Sequence, residues 1–232
     1  MFFSRVQLNP QRRKTREALA SPQVLHAMVA SALPPDMQRS DEGRLLWRVD
    51  RDQHDVRLYV VSPHEPNLEH VVEQVGWTAA PGQTTDYSRF LGRLARGQEY
   101  AFRVTLNPVK QQRVATSRGK RLPLCREDEQ IAWLRSRSER WGFSIPEIAP
   151  AQDTIDDGTA AEPKPAVKIV GVGDRSFSKG HGEDRRRVTQ RHVTFVGRLA
   201  VAEAEHLRHF LTHGMGRGKA YGCGLMTLAA ES

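Results

Sequence analysis

The chain has 232 residues, 38% of them apolar, with 35 lysines and arginines against 27 acids for a formal charge of +8. No run reaches the about 18 consecutive apolar residues of a membrane span, and the opening MFFSRVQLNP lacks the apolar stretch of a signal peptide, so a cytoplasmic protein without a membrane partner is expected. The two cysteines, Cys125 and Cys223, exclude a disulfide framework and a four-cysteine zinc site. Charge is unevenly spread: residues 1–95 carry 12 basic and 11 acidic side chains, residues 96–232 carry 23 and 16. Such a surplus points to a polyanionic partner without specifying which.

In chain order, FFSRVQL has strand composition and is followed by the basic stretch Arg12, Arg13, Lys14 and Arg16, to which no element is assigned. Ser21 as N-cap and Pro22 in the first helical position predict a helix from Pro22 to Leu33, stopped by Pro34 and Pro35. RLLWRV (44–49) and VRLYVVS (56–62) read as a hairpin across DRDQHD, and Leu68, Val71, Val72 and Val75 recur at helical spacing. A short strand at Tyr87–Phe90 completes a β-α-β-β-α-β order, the ferredoxin-like unit.

The second half repeats that order with insertions. YAFRVTLN (100–107) is an alternating strand, EDEQIAWLRSRSERWG (127–142) a helix closed by Gly142, and FSIPEI (143–148) a further strand. Residues 150–166 are proline-rich and acidic and read as an irregular insertion. VKIVGV and VTFVGRLAV (193–201) form a long hairpin, AEAEHLRHFLTHG (202–214) a helix ending at Gly214, and LMTLAA (225–230) the last strand. The fold class expected is α+β, two tandem ferredoxin-like (RRM-like) βαββαβ domains over 1–95 and 96–232.

Three segments could carry chemistry. The run GMGRGKAYGCG (214–224) matches neither a Walker A loop nor GxGxxG, since Lys219 falls at the wrong offset from Gly214 and Gly216. Gly214, Gly216 and Gly218 would let backbone N–H groups approach phosphates, with Arg217 and Lys219 beside them; a tight connection is the alternative. Residues 110–126 hold Lys110, Arg113, Arg118, Lys120, Arg121 and Arg126 without an acid. Residues 175–191 add Arg175, Lys179, Arg185, Arg186, Arg187 and Arg191 against Glu183 and Asp184, at the exposed end of the long hairpin, where a basic tip could track phosphates or simply be solvated.

His26 is the titratable residue of most interest in the first half. Val24, Leu25, Met28, Val29 and Ala32 define the apolar face of its helix and leave His26 pointing outward, able to move protons near neutral pH or to be an ordinary surface histidine. His206, His209 and His213 share a helix but no fourth ligand is evident, so no metal site is assigned. No acidic cluster suits a two-metal nuclease, and Asp153, Asp156 and Asp157 sit in a very polar segment; a nuclease built on this chain is expected to work without metal or other cofactor.

FFSRVQLNP, LASPQVLHAMV around His26, FRVTLNPVK (102–110), the EDEQIAWLRSR helix, FVGRLAV (195–201) and the GMGRGKAYGCGLMTLA ending together resemble the CRISPR RNA-processing endoribonucleases of the type I-E Cascade complex, the CasE family. The resemblance spans nearly the whole chain. It implies tandem ferredoxin-like domains and, as substrate, the stem-loop of a CRISPR repeat, cut at its 3′ base without metal and retained with the other Cascade subunits. It assigns the catalytic histidine to His26, and we add Arg175 and Lys179 as candidate cations for the phosphorane. Where many members carry a tyrosine one turn earlier, this chain has Gln23. A non-catalytic subunit that only holds the RNA hairpin is the alternative, and His26 separates the two.

Overall fold

The computed structural model describes residues 1–53, 55–114, 117–149, 162–179 and 186–230, with the backbone alone for 113–114, 117–120, 178–179 and 186. Alternation sets the first strand, β1 (Phe2–Leu8), which buries Ser4, Val6 and Leu8 and exposes Arg5 and Gln7. It is followed by α1 (Arg13–Ala20), α2 (Pro22–Ala30), the hairpin β2 (Leu46–Arg51) and β3 (Val56–Ser62), α3 (Glu69–Val75), β4 (Gln83–Asp86) and α4 (Ser88–Gly92). The antiparallel sheet runs β2-β3-β1-β4, the ferredoxin-like order.

The same order recurs in β5 (Glu99–Leu106), the hairpin β6 (Val109–Val114) and β7 (Ser117–Pro123), α5 (Glu127–Ser138), β8 (Phe143–Ser144), β9 (Val167–Lys179), β10 (Arg186–Val201), α6 (Ala204–His213) and β11 (Met226–Ala229). The sheet runs β8-β10-β5-β11, with β9 sharing the outer edge of β10. Glu127, Asp128 and Glu129 open α5 and Arg135 and Arg137 close it, each sign at the favourable end of the helix dipole. After it the chain turns at Gly142, whose φ of +85° suits glycine and where a Cβ would lie 2.4 Å from the Glu203 carbonyl oxygen.

Several expectations are corrected. The strand expected at Tyr87–Phe90 is the helix α4; the strand lies just before it, where polar Gln83–Asp86 pairs with β1 through the backbone ladder and through side-chain bonds of Ser4 to Thr84 and Arg5 to Gln83. The basic stretch after β1 opens α1, anchored by buried Ala18 and by Thr15, whose hydroxyl donates to the Val75 carbonyl at 3.0 Å. FSIPEI splits into β8 and a separate pairing of Glu147–Ile148 with Lys164–Pro165, because Pro146 has no N–H for a continuous ladder. Most of the segment 110–126 forms the hairpin β6–β7, and among its described side chains Lys110 is compensated by Glu129 at 3.3 Å and Arg126, just past the hairpin, by Asp128 at 2.8 Å. Asp153, Asp156, Asp157 and Arg185 lie outside the described residues.

The first sheet is covered on both faces. Val6, Leu58, Val60 and Trp47 meet the helices through Ala18, Leu25, Val29, Val71 and Val75. Leu46 and Val61, on the opposite face, join the core of the second sheet with Val104, Leu106, Phe195 and Leu211. Arg48 has the parity of Leu46 and so points into this seam, where its side chain is 1% exposed. Its guanidinium makes a forked pair with Asp50 at 2.7 and 2.8 Å, donates to the carbonyls of Arg103 and Leu225 at 2.6 and 2.9 Å, and reaches Thr227 Oγ1 at 2.8 Å. One side chain thus links β2 to β5 and to the β11 strand with the residue before it. Cys223 is buried in the same half and Cys125 is exposed.

Candidate active site

The N-cap reading of α2 is realised: Ser21 Oγ accepts from the Val24 N–H at 3.5 Å and Pro22 occupies the first turn. The helix stops at Ala30, a turn short of the expected Leu33, and its buried residues are Pro22, Leu25 and Val29. Val24, expected to face inward, is 46% exposed. His26 correspondingly does not point free into solvent; it is half-buried, and Trp47 Nε1 donates to its Nδ1 at 3.3 Å. Trp47 alternates with Leu46 and Arg48 on β2 and so faces the helices, which delivers its indole to α2.

Burial, and then the Arg44 guanidinium, hold His26 below its ordinary pKa. The free protein therefore carries a neutral imidazole at pH 7. With Nδ1 accepting from Trp47, the hydrogen-bond pattern assigns the ring proton to Nε2. Trp47→Phe removes this donor and part of the cover over the ring, both of which favour the neutral form. The His26 pKa should move up in that variant, toward its ordinary value, which a titration of the ring Cε1–H by NMR reads directly; an unchanged pKa would remove Trp47 from the account.

The glycine-rich loop closes this site from the second half of the chain. Its central 3-10 turn, Lys219–Tyr221, packs against α2 and β2. Five of its glycines have positive φ. A Cβ at Gly222 would lie 2.7 Å from the Trp47 ring, and one at Gly214 would lie 2.7 Å from Leu46 and 3.0 Å from Lys219 Cε. Gly218 faces Gln190 and Cys223, and Gly216 faces Trp133 and Leu106. Gly214 and Gly222 are thus needed for close packing of the loop on protein, Gly216 for its positive φ, and the loop carries Lys219 to the side of the site that holds Arg44 and Arg39, the cations which, after burial, lower its pKa. Arg217 is exposed on the loop.

The other candidates spread along the seam. Arg175 is not at an exposed tip; it lies in a cleft of about 290 Å³ between the two sheets with Trp47, Arg51, Arg103, His192 and Tyr221. Burial, then Arg175, lower His192 to about 4 and depress Arg51. Arg187 donates to Ser176 Oγ at 2.6 Å, Arg191 forks onto Asp174 at 2.9 Å, and Arg121 is exposed. Lys179 and Arg186 pair at the end of the described hairpin, and Arg113, Arg118 and Lys120 lie on β6 and β7; only their backbone is described. On α6, His209 stacks on His213 with ring centroids 4.0 Å apart. Among the described residues no group of three or more His, Cys, Asp or Glu is placed to hold a metal ion.

Trp47, Arg44, Arg39 and the cleft residues Arg51 and His192 did not emerge from the sequence. For Trp47 a signal existed in the alternation of β2. Arg44 reaches the site through a two-residue strand, Gly43–Arg44, paired with Arg39–Ser40, which is too short to show a pattern.

Two tandem ferredoxin-like folds with a histidine-centred, cation-lined site at their seam define the structural class. A family model described as CRISPR associated protein matches residues 1–230. The CRISPR-associated endoribonuclease Cse3 of Thermus thermophilus is 31% identical over 99% of this chain and 100% of its own, and the CRISPR system Cascade subunit CasE of Escherichia coli K12 is 30% identical over 87% and 96%. The structure of Cse3 bound to a 19-nucleotide RNA superposes with a TM-score of 0.76 at 29% identity, covering 99% of this chain and 100% of that one. A structure of Thermus thermophilus Cse3 with an RNA representing a pre-cleavage complex gives 0.74 at 28%, covering 98% of each chain. This chain belongs to that family of CRISPR-associated proteins.

Proposed function

We propose that this chain is a metal-independent endoribonuclease that cuts CRISPR precursor RNA at the 3′ base of the repeat stem-loop and stays bound to the product as a cytoplasmic Cascade subunit. The observation that carries the reading is His26, half-buried against Trp47 where α2 meets the Lys219–Tyr221 turn, in a family whose relatives are endoribonucleases. In this reading the domain spanning 1–95 supplies the proton-transfer group and the domain spanning 96–232 supplies most of the cations that track the RNA: the β6–β7 hairpin with Lys110, Arg113, Arg118, Lys120 and Arg121, the β9–β10 pair with Arg175, Lys179, Arg186 and Arg187, Arg185 just before Arg186 in the sequence, and Arg217 and Lys219 beside Gly214, Gly216 and Gly218. An A-form stem has a narrow major groove, so such cations read its shape and phosphates.

The chemistry is a transesterification that consumes no water. The 2′-oxygen upstream of the cut bonds to phosphorus, the bond from phosphorus to the 5′-oxygen breaks, and the products are a 2′,3′-cyclic phosphate and a 5′-hydroxyl. One proton leaves the 2′-OH and one reaches the 5′-oxygen. In this reading a phosphodiester beside His26 opposes the depression caused by burial and Arg44, Nδ1 takes up a proton as it gives up the Trp47 hydrogen bond, and the imidazolium Nε2–H protonates the leaving oxygen. Gln23 has no titratable group, and in-line positioning of the 2′-OH carries the rest of the acceleration.

The test is single-turnover cleavage of the host repeat stem-loop in excess EDTA, with a parallel substrate bearing 2′-deoxy at the nucleotide 5′ to the cut. One cut at the stem base in EDTA, none in the deoxy substrate and equal binding of both is the expected result. Cleavage that vanishes with EDTA overturns metal independence, and tight binding without any cleavage supports the scaffold alternative.

A further inference from the structure

The mini-hairpin that follows α2 and the Lys219 turn bring three cations together from both halves of the chain. Arg39 and Arg44 stand directly opposite each other in the pairing of Arg39–Ser40 with Gly43–Arg44. Like charges in that position repel. The hairpin is held against the last turn of α6, since a Cβ on Gly43 would lie 3.0 Å from the Thr212 carbonyl oxygen. Lys219 comes to the same region across the glycine loop, its Cε 3.0 Å from a Cβ built on Gly214 and its Cγ 3.4 Å from one on Gly224.

Nothing in the described chain neutralises this group. Among the described residues none of the three forms an ion pair with a carboxylate. The Arg44 Nε is buried and has no hydrogen-bond partner. Burial, then Arg39, lower the Arg44 pKa; burial, then Arg44 and Arg39, lower that of Lys219; and the same Arg44 depresses His26. Burial, then His213, Lys219 and His206, lower His209 at the end of α6, which therefore adds no charge of its own while lying close enough to register that of Lys219. The carbonyl end of α6 offers only about half a negative charge. Three cations held together against their repulsion, with no carboxylate paired to them among the described residues, make a setting that favours an anion.

We propose that Arg39, Arg44 and Lys219 form a prebuilt oxyanion site that holds the scissile phosphodiester beside His26. This rests on the ribonuclease reading and deepens it, adding residues of both halves to the cations that meet the reacting phosphate. Arg44 is the central member: its charge reaches His26 on one side and Lys219 on the other, and its half-buried guanidinium, paired with no carboxylate among the described residues, turns its accessible N–H groups to a phosphate oxygen. Charge on the non-bridging oxygens grows as the phosphorane forms, so these contacts tighten in the transition state.

Two measurements test the site. Inorganic phosphate titrated into the free protein should shift the His26 Cε1–H resonance and raise the His26 pKa, and Arg44→Ala should abolish the response. In single-turnover cleavage, Arg44→Ala and Lys219→Ala should each lose about 100-fold, the size of one oxyanion donor, while affinity for the 2′-deoxy stem-loop falls less than about 10-fold, as for one phosphate contact among many. Arg44→Lys should recover part of the rate, and thermal unfolding of each variant verifies the fold. A His26 signal that ignores phosphate, or an Arg44→Ala protein that folds and cuts at the parental rate, overturns the site. Parental cleavage by His26→Ala would instead overturn the catalytic reading, and the phosphate titration, which needs no cleavage, would still decide whether the anion site exists.

Discussion

His26→Ala should lower single-turnover cleavage of the repeat stem-loop by a factor of about 10²–10⁴, the span for loss of a positioned acid or base, with stem-loop affinity within a few-fold of the parent. The argument is local. His26 is half-buried beside Trp47, neither side chain carries a charge in the free protein at pH 7, and the cations expected to track the stem lie on other elements. Removing the imidazole therefore takes away a proton donor and little binding surface. Active-site titration with the 2′-deoxy stem-loop followed by quench-flow on the natural one gives both numbers from the same preparation. Affinity lost in parallel with rate would mark His26 as a binding residue, and an unchanged rate would make it a surface histidine.

Arg48→Ala should destabilise the protein by about 3–5 kcal/mol, the cost of removing one partner from a buried ion pair. For a chain of this length that is a fall in Tm on the order of 10 °C. Four groups lose their donor at once: the Asp50 carboxylate, the carbonyls of Arg103 and Leu225, and the Thr227 hydroxyl oxygen. Arg103, 3.5 Å from Asp50, offsets part of the lost charge but cannot reach the carbonyls. Arg48→Lys keeps the charge without the fork and should fall between the two. Cleavage should also slow in both variants, because His26 and Lys219 are held by opposite sides of the seam that Arg48 fastens. Calorimetry decides it: an Arg48→Ala protein melting at the parental temperature would show the network to be idle.

Much of the fold was readable because most of its strands obey simple alternation. The β2–β3 hairpin, β5 and β10 were visible that way, and Ser21–Pro22, Gly142 and Gly214 marked helix ends that the structure keeps. What escaped obeys no local rule. α1 is strongly basic and is fixed by tertiary contacts of Thr15 and Ala18, while β4 buries no side chain and exists through its ladder to β1. The site was legible in one residue and hidden in its neighbours. His26 stood out as a titratable group on a helix and Lys219 as a cation in the glycine loop, but nothing local joined the two; Trp47 and Arg44 come to them only when β2, the mini-hairpin and the glycine loop converge. Arg48 went unmarked in the sequence, since only its parity with Leu46 on β2 indicates that it is buried.

The glycine loop also seals Cys223, fully buried with its sulfur 3.4 Å from where a Cβ on Gly218 would sit, and desolvation alone drives its thiol strongly toward the protonated form. Thiolate, not thiol, reacts with disulfide and maleimide reagents, so Cys223 is silent while the loop is closed, whereas Cys125 is exposed. The molecule therefore contains an internal stopwatch. With Cys125 blocked first, the rate at which label appears at position 223 measures how often the glycine loop opens, and RNA bound against that loop should lower the rate without any change of sequence.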